Sequence, residues 1–464
     1  MEILLLRNKK ISVIGAARSG VGVSKLLRNI GARLFVSDQR EASKLTKSIA
    51  ELQKENIAFE TGNHTERVFD CSLMVLSPGV PSDTPVVLEA RKRSISVVSE
   101  LEVASWFCRA PIVAITGSNG KTTTTTLVGR VFSDAKKKHV VAGNIGEAFS
   151  NFVLDMAETD VVVLEVSSFQ LDFIESFHPK VSVILNITRN HMDRYGNSME
   201  KYAASKARIF MNQTEDDVLI YNADDELTQL KVKSAKCKML AFSTSRKIND
   251  GAFLDHGILR TIIGGQKSEI IDASQISIKG EHNLQNAMAA TLAAQTLGVS
   301  PAYIRSTLKN FKGVEHRQEF VREVNGFKYV NDSKATTVEA VSRALSAFSE
   351  PIVLILGGKD KGNDYSGMFD AVRKNVRAIV AIGHSAEKIV LNFADKVRVE
   401  RVDTIGADIP NITSMQKTIA VATSLAQRGD VVLLSPACTS FDWFTDFEER
   451  GKVFTSIVNS LESK

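Results

Sequence analysis

Short apolar runs alternate along the chain with segments in which apolar residues recur every three or four positions. The runs at residues 11–14, 73–76 and 112–115 predict buried strands, and the segment that follows residue 121 predicts a helix. A regular alternation of strands and helices is typical of α/β domains with mostly parallel sheets. We therefore predict an α/β fold, and the same pattern after residue 329 predicts a further doubly wound sheet.

The turn after the predicted strand at 112–115 has the composition of a phosphate-binding loop. Its residues are Gly117, Ser118, Asn119, Gly120, Lys121, Thr122 and Thr123. Glycines let backbone N–H groups approach phosphates, a helix N-terminus favours negative charge, and the lysine and threonine add a cation and a ligand for Mg²⁺. Ile115 occupies the first glycine position of the usual G-x-x-x-x-G-K-[ST] pattern, so a threonine-rich surface turn is the alternative.

The first third of the chain resembles a nucleotide-binding βαβ unit. A strand at 11–14, a glycine-bearing turn and a helix lead to a second strand at 33–37, and Asp38 follows it. Ala17 replaces the middle glycine of G-x-G-x-x-G, which disfavours a dinucleotide. We predict a uridine-type ligand at these strand ends, and a purely structural βαβ unit is the alternative. The lining residues would be Arg18, Ser19, Gln39 and Arg40.

Polar residues also follow later strands. Glu165 ends the apolar run at 161–164, where a carboxylate could hold Mg²⁺ on ATP phosphates, although a surface acid is the alternative. His191 follows the run at 181–185. In the last third, polar loops follow predicted strands at 329–330, 352–356 and 431–434, and three converging loops indicate a binding site. Residues 232–275 predict short strands on the flank of the middle region.

The composition excludes several other classes of protein. The 464 residues are 44% hydrophobic and 24% charged, as in globular proteins of several domains. A net charge of +5 gives no reason to expect nucleic acid as a partner. The four cysteines are far apart and fit reduced thiols rather than disulfides or zinc. With no apolar stretch of membrane-spanning length, we expect a cytoplasmic monomer without a membrane partner.

A resemblance to a known family is carried by a series of motifs in order along the chain. They are TGSNGKTT, LEVSSFQLD, NITRNHMDRY, YAASKARIF, GEHNLQNAMAA, KYVNDSKATT, LILGGKDKG and LLSPACTSFDWFTDFEERG. Together they resemble the Mur ligase family, which uses ATP to form amide bonds on the peptidoglycan precursor. The last three motifs are similar to those of the branch that adds D-glutamate to UDP-N-acetylmuramoyl-L-alanine. The resemblance implies a UDP-sugar-binding domain at 1–107, a central ATP-binding domain at 108–314 and an amino-acid-binding domain at 315–464.

The resemblance also implies roles for individual residues. Lys121, Glu165, His191 and Lys206 would be catalytic, and two Mg²⁺ sites would use Thr122, Glu165, His191 and a carbamylated Lys206. The ATP-binding set would be the loop Gly117–Thr123 together with Asn283, Asn286, Arg317, Asp332 and Lys334. The UDP-sugar set would be Arg18, Ser19, Gln39, Arg40, Ser77, Gly79, Asn144 and His191. The D-glutamate set would be Thr336, Lys361, Ser440, Phe441 and Phe447.

Other functions remain alternatives at this point. Another Mur ligase would carry different residues in place of NDSKAT and SFQL. An amide ligase like folylpolyglutamate synthetase would share the middle and last regions but lack the first. A nucleotide-dependent binding protein without catalysis would need no second metal site, and a nucleotide-sugar dehydrogenase is disfavoured by Ala17. We expect ATP and Mg²⁺ as cofactors and small molecules as the partners.

Overall fold

Parallel sheets flanked by helices make up the protein, as a computed structural model shows for residues 6–189, 192–360 and 362–462. The chain forms two compact units, Met1–Phe311 and Lys312–Lys464. The first unit contains two sheets and the second contains one. The predicted fold class, α/β with three sheet-containing regions, is confirmed.

The first sheet has five parallel strands in the order β3-β2-β1-β4-β5. Its strands are β1 Lys10–Ile14, β2 Arg33–Asp38, β3 Ala58–Thr61, β4 Leu73–Leu76 and β5 Ser96–Ser99. Its helices are α1 Arg18–Asn29, α2 Thr46–Lys54, α3 Pro85–Lys92 and α4 Glu100–Ser105. The strand order reverses between β1 and β4, and in such sheets ligands bind beside the carboxyl ends of the strands at the point of reversal.

The second sheet has nine strands in the order β14-β13-β12-β11-β10-β9-β6-β8-β7. Its strands are β6 Ile112–Thr116, β7 His139–Gly143, β8 Val161–Glu165, β9 Val181–Ile184, β10 Val218–Asn222, β11 Lys238–Ser243, β12 Gly251–Asp255, β13 Ile258–Ile263 and β14 Gln266–Asp272. Its helices are α5 Lys121–Asp134, α6 Ser168–Leu171, α7 Met199–Ala207, α8 Glu226–Val232, α9 Glu281–Thr296 and α10 Pro301–Asn310. Strands β6 to β12 pair in parallel with their neighbours, and β13 and β14 add antiparallel pairs at one edge.

The second unit has one six-stranded sheet in the order β15-β16-β20-β17-β18-β19. Its strands are β15 Glu319–Val324, β16 Phe327–Asn331, β17 Ile352–Gly357, β18 Val376–Ile382, β19 Arg398–Val402 and β20 Val431–Leu434. Its helices are α11 Val338–Leu345, α12 Phe369–Asn375, α13 Ala386–Phe393, α14 Ile412–Leu425 and α15 Phe447–Asn459. All pairs are parallel except β15 with β16.

Most predicted strands lie where the apolar runs placed them, and β4 and β20 match them residue for residue. The short strands predicted at 232–275 are β11 to β14. The last region begins with β15, a strand that was not predicted and that forms a hairpin with β16. This strand was missed because it lies at a sheet edge, where one half-exposed face weakens the apolar signal. The domain limits at 107 and 314 stay predictions.

None of the helices in the described parts of the chain combines the length and the apolar character needed to cross a membrane.

A buried carboxylate joins the two sheets of the first unit. Glu102 lies on α4, after the first sheet, and is fully buried. Its oxygens accept hydrogen bonds from the backbone N–H groups of Glu175, Ser176 and Phe177 at 3.0, 2.8 and 2.8 Å. The Trp106 indole donates to it at 2.8 Å. Because these donors satisfy the buried charge, Glu102 fixes α4 against the segment that precedes β9.

A second buried carboxyl group lies in the other unit, just after β16. Asp332 is 4% exposed, and it accepts hydrogen bonds from the Ser435 hydroxyl at 2.7 Å and the Gln318 N–H at 3.2 Å. Burial raises the pKa of Asp332 to about 7, although these hydrogen bonds and the charges of Arg317 and Arg343 act in the opposite direction.

The Glu102 carboxylate gives a test of how much buried hydrogen bonds stabilise the first unit. Glu102→Gln replaces one acceptor oxygen with an NH₂ group that faces N–H donors. We expect a loss of about 2–4 kcal/mol in the free energy of unfolding, measured by urea denaturation. The control Glu158→Gln changes an exposed carboxylate and should stay within about 0.5 kcal/mol of the wild type. Equal stabilities of the two variants would contradict the prediction.

Asp332 predicts a pH dependence of stability. Its pKa is higher in the folded state than the unfolded value of 3.8, so its contribution is complete below about pH 4 and is lost as the pH rises to about 7. Between pH 5 and 8, the wild type should lose roughly 2–3 kcal/mol relative to Asp332→Asn. Urea unfolding followed by the fluorescence of buried Trp443 measures this difference. Asp370→Asn, at a fully exposed site, should show no such difference, and a parallel pH profile for Asp332→Asn would refute the assignment.

Candidate active site

The predicted phosphate loop joins β6 to α5 and is held by the segment that follows β9. The Ser118 N–H and the Asn119 N–H donate to the backbone and side-chain oxygens of Asn186, each at 2.9 Å. The Ser118 hydroxyl donates to the Thr188 carbonyl at 2.8 Å and accepts from the Thr188 N–H at 2.9 Å. The loop is therefore preorganised by its neighbour, which lowers the entropic cost of ordering it around a ligand.

Gly120 is required by both conformation and space. It precedes α5 with φ +83°, a left-handed conformation, and a Cβ there would lie 2.3 Å from Asn286 Oδ1 on α9. Asn286 Oδ1 also accepts from the Thr124 hydroxyl at 3.1 Å, and its amide donates to Asn283 Oδ1 at 3.2 Å. The predicted ATP residues Asn283 and Asn286 thus form a hydrogen-bonded pair, and Asn286 lies directly beside the phosphate loop.

Lys121 lies across the loop that it follows. Its ammonium donates to the carbonyls of Gly117 and Ser118 at 2.8 and 3.2 Å. A cation in this position, together with the N-terminus of the 14-residue helix α5, favours anionic groups at the loop.

Glu165 connects the phosphate loop to the end of β7. The Thr122 hydroxyl donates to Glu165 Oε2 at 2.7 Å, and the Asn144 amide donates to Oε1 at 2.8 Å. The strand order explains this meeting, because β8, which carries Glu165, lies between β6 and β7. Three residues predicted separately from the sequence are therefore brought together at one sheet edge.

Lys206 is buried in the last turn of α7 beside the same loop. Its amine is 2.9 Å from the Gly117 carbonyl and 3.4 Å from the Thr116 hydroxyl, and it lies 4.7 Å from the centre of the Tyr202 ring. Burial lowers the pKa of Lys206 well below its usual value, the charge of Lys121 lowers it further, and the acids Glu165 and Asp172 only partly oppose this. The environment therefore favours a neutral amine, which is a nucleophile.

The donor set fits Mg²⁺ bound together with phosphates. The described residues contain no cluster of three His, Cys, Asp or Glu side chains that could enclose a metal ion. A hydroxyl and a carboxylate oxygen, as in Thr122 and Glu165, suit an ion that takes its other ligands from water and substrate phosphates. His191 and Lys361 lie outside the described residues, so their predicted roles stay predictions.

Loops at the carboxyl ends of β1, β2 and β4 bring together the other predicted UDP-sugar residues. Gly20, in the first turn of α1 beside Arg18 and Ser19, admits no side chain because a Cβ would lie 1.8 Å from the Gly15 carbonyl oxygen. The Ser77 hydroxyl donates to that oxygen at 2.8 Å, which ties the β4 loop to the β1 loop. These loops flank the point at which the strand order reverses.

The β2 loop and the loop around Gly79 complete that edge of the sheet. Arg40, which directly follows Gln39, pairs with buried Asp38 at 2.6 Å. Asp38 also accepts from the Ala16 N–H at 2.7 Å. The Gly79 carbonyl accepts from the Arg194 guanidinium at 2.9 Å. Asn144, by contrast, directly follows β7 of the second sheet, where its amide donates to the Glu165 carboxylate.

In the second unit, loops from β16, β17 and β20 carry the residues predicted for D-glutamate. The Lys359 N–H donates to the Thr439 carbonyl at 2.9 Å, which places the β17 loop against the segment with Ser440 and Phe441. The Lys334 ammonium lies 5.6 Å from the centre of the Phe447 ring. Ser440 is buried, whereas Phe441 is 56% exposed. Thr336 follows Lys334 on the β16 loop, and its N–H donates to the Lys334 carbonyl at 2.9 Å.

Arg450 is a residue that sequence reasoning missed. It is 1% exposed and donates to the Ser333 hydroxyl, the Ser333 carbonyl and the Cys438 carbonyl at 2.9, 2.8 and 3.1 Å. Burial lowers its pKa to about 10, against the opposing effects of Asp442 and Cys438, so it stays charged at neutral pH. It joins the β16 and β20 loops. Its spacing three after Phe447 and four before Phe454 on α15 was the available signal.

Comparisons with known proteins agree with this arrangement. Three family models match successive parts of the chain: the MurD N-terminal domain at residues 10–86, the Mur ligase middle domain at 115–294 and the Mur ligase glutamate ligase domain at 316–438. The solved structure of UDP-N-acetylmuramate-alanine ligase MurC from Thermotoga maritima is similar with a TM-score of 0.58 and 20% identity. The match covers 97% of this chain and 99% of that one, and at this identity it shows the fold alone.

Curated relatives are much more similar in sequence. A UDP-N-acetylmuramoylalanine–D-glutamate ligase of Chloroherpeton thalassium is 43% identical over 473 residues, with 98% of this chain and 99% of the relative covered. A protein of the same name from Salinibacter ruber is 44% identical, with 98% and 99% covered. The resemblance inferred from the motifs is confirmed over the full length of the chain, which belongs to the Mur ligase family and begins with a domain of the MurD type.

Proposed function

We propose that this protein joins D-glutamate to UDP-N-acetylmuramoyl-L-alanine with ATP and two Mg²⁺ ions, as a step in peptidoglycan precursor synthesis. The observation that carries the proposal is the 43% identity, over 98% of the chain, to a relative with that name. The polar loops at the carboxyl ends of the strands in all three sheets, which include the phosphate loop, support it. Since ATP and nucleotide sugars are cytoplasmic metabolites, we also propose a cytoplasmic location. We further propose that the protein acts on small molecules as a monomer.

The proposed reaction has two steps. The carboxylate of the UDP-sugar attacks the γ-phosphorus of ATP, the bond to ADP breaks, and an acyl phosphate forms. The D-glutamate amine then attacks the acyl carbon, loses a proton, and expels phosphate as the amide forms. Activation is needed because a carboxylate is a poor electrophile with a poor leaving group. Mg²⁺ would neutralise the charge that develops on the phosphoryl oxygens.

The chain's own groups fit these steps. The loop N–H groups and the Lys121 ammonium would hold the transferring phosphate. Thr122 and Glu165 would supply oxygen ligands to one ion, and Asn144 keeps the Glu165 carboxylate oriented. We propose that Asn283, Asn286, Arg317, Asp332 and Lys334 contribute to ATP binding. We also propose that Thr336, Lys361, Ser440, Phe441 and Phe447 bind D-glutamate.

Lys206 would carry a carbamate. A neutral lysine amine attacks CO₂ and loses one proton, which leaves an anionic carbamate that can ligate a metal as a carboxylate does. The lowered pKa of Lys206 supports this role because it increases the fraction of neutral amine, the form that attacks CO₂. His191 would be a further metal ligand.

A substrate screen tests the proposed function. Phosphate release is measured with ATP, Mg²⁺, UDP-N-acetylmuramoyl-L-alanine and one amino acid at a time. We expect sustained turnover with D-glutamate and at least 100-fold less with L-glutamate, L-alanine or L-lysine. A Mur ligase of another branch would prefer a different amino acid and acceptor. A folate-type ligase would turn over only with a folate acceptor, so either result would refute the assignment.

The proposed carbamate predicts the behaviour of two lysine variants. Lys206→Ala should lose at least 100-fold in kcat, and added acetate or propionate should restore part of it by supplying a carboxylate in the space that the side chain left. Lys201→Ala, an exposed lysine on the same helix, should keep wild-type activity in the same assay. Full activity of Lys206→Ala without added carboxylate would rule out the carbamate.

A further inference from the structure

A second cleft opens at the amino ends of the strands of the nine-stranded sheet, whereas the phosphate loop lies at their carboxyl ends. It has a volume of about 500 Å³, within the range of small-molecule sites. Its walls are the connection from α4 to β6, which includes Trp106, and the segments that precede β9 and β10. Ile112, the first residue of β6, lines it, whereas the phosphate loop follows the last residue of that strand. A five-residue strand spans about 16 Å, so the two sites are separate.

Cationic groups exceed anionic groups among the residues that line the cleft. Asp217 is buried, and its oxygens already accept from His178 at 2.5 Å, from the Thr214 N–H at 2.8 Å and from Lys180 at 3.3 Å. These contacts keep the pKa of Asp217 below its usual value although burial raises it. Arg109 has no hydrogen bond or ion pair with any described residue. Asp217 is thus neutralised within the protein, which leaves the Arg109 charge for a ligand.

An apolar wall faces the same space. Trp106 is half-buried, and its indole N–H is held by Glu102 Oε1 at 2.8 Å and by the Ser176 hydroxyl at 3.0 Å, so its ring orientation is fixed. Ala110, Pro111 and Ile112 add apolar surface beside it. A fixed aromatic ring next to a cation suits a ligand with a flat apolar group and a negative charge.

We propose that this cleft binds a small aromatic anion, with the anionic oxygens on Arg109 and the flat ring against Trp106. Because Trp106 and Ser176 both contact Glu102, a bound anion would lie on the connection between the two sheets of the first unit. The site is distinct from the candidate active site, and the proposal does not depend on the function proposed above.

Phenyl phosphate is a suitable probe, because it combines one ring with one dianionic group. It is titrated into the full-length protein while tryptophan fluorescence is followed with excitation at 295 nm. We expect a saturable change that disappears in Trp106→Phe. Arg109→Ala should raise the dissociation constant at least tenfold. Lys121→Ala, which alters the phosphate loop, should leave it unchanged. Arg130→Ala, a partly exposed arginine elsewhere on the unit, is the matched control and should also leave it unchanged.

Several results would overturn the proposal. A change in fluorescence that does not saturate, or that is equal in Arg109→Ala, would show that the cleft does not bind the anion. Loss of the signal in Lys121→Ala would place the probe at the phosphate loop. Inorganic phosphate should bind at least tenfold more weakly than phenyl phosphate, and equal affinities would refute the aromatic part of the site. Circular dichroism of each variant verifies that it is folded.

Discussion

A charged group that leaves water must find hydrogen-bond partners or lose its charge, and this requirement shapes both units of the protein. Buried Arg450 keeps its charge and donates to three oxygens, and the buried Glu165 side chain accepts from Thr122 and Asn144. Lys206 and Asp332 respond in the other way, because burial shifts each pKa toward the neutral form. The four groups all lie in or beside loops at the carboxyl ends of parallel strands. The cost of burying them explains why those loops are joined by so many hydrogen bonds.

The same requirement links the first two sheets. Glu102 is satisfied only if α4 stays against the segment before β9. One cluster of buried apolar residues also contains members from both sheets, such as Val13 on β1 and Val162 on β8, together with Leu101 on α4. The residues predicted to bind the UDP-sugar and the phosphate loop are therefore parts of one compact unit. Such a unit can hold a nucleotide-sugar carboxylate and an ATP phosphate at a fixed separation, which is what phosphoryl transfer between them needs.

The carboxyl ends and the amino ends of the strands in the nine-stranded sheet differ in chemistry. At the carboxyl ends of the strands, backbone N–H groups, Lys121 and Glu165 suit phosphates and a divalent cation. At the amino ends, Trp106 and Arg109 line a cleft that has an aromatic wall and one surplus positive charge. The Glu102 hydrogen bonds lie beside the amino ends of the strands, so the connection between the sheets forms one wall of the cleft.

The sequence by itself determined the α/β class, most of the buried central strands, the phosphate loop and the family, because apolar periodicity and contiguous motifs are local properties of the chain. It also determined that Glu165 and Asn144 follow strands, but not that they meet, since their contact depends on the order β6-β8-β7. Tertiary structure alone decided the lowered pKa of Lys206, the buried position of Arg450 and the cleft beside Trp106. Each of these depends on burial among segments far apart in sequence, and burial sets a pKa or a cavity only after the chain has folded.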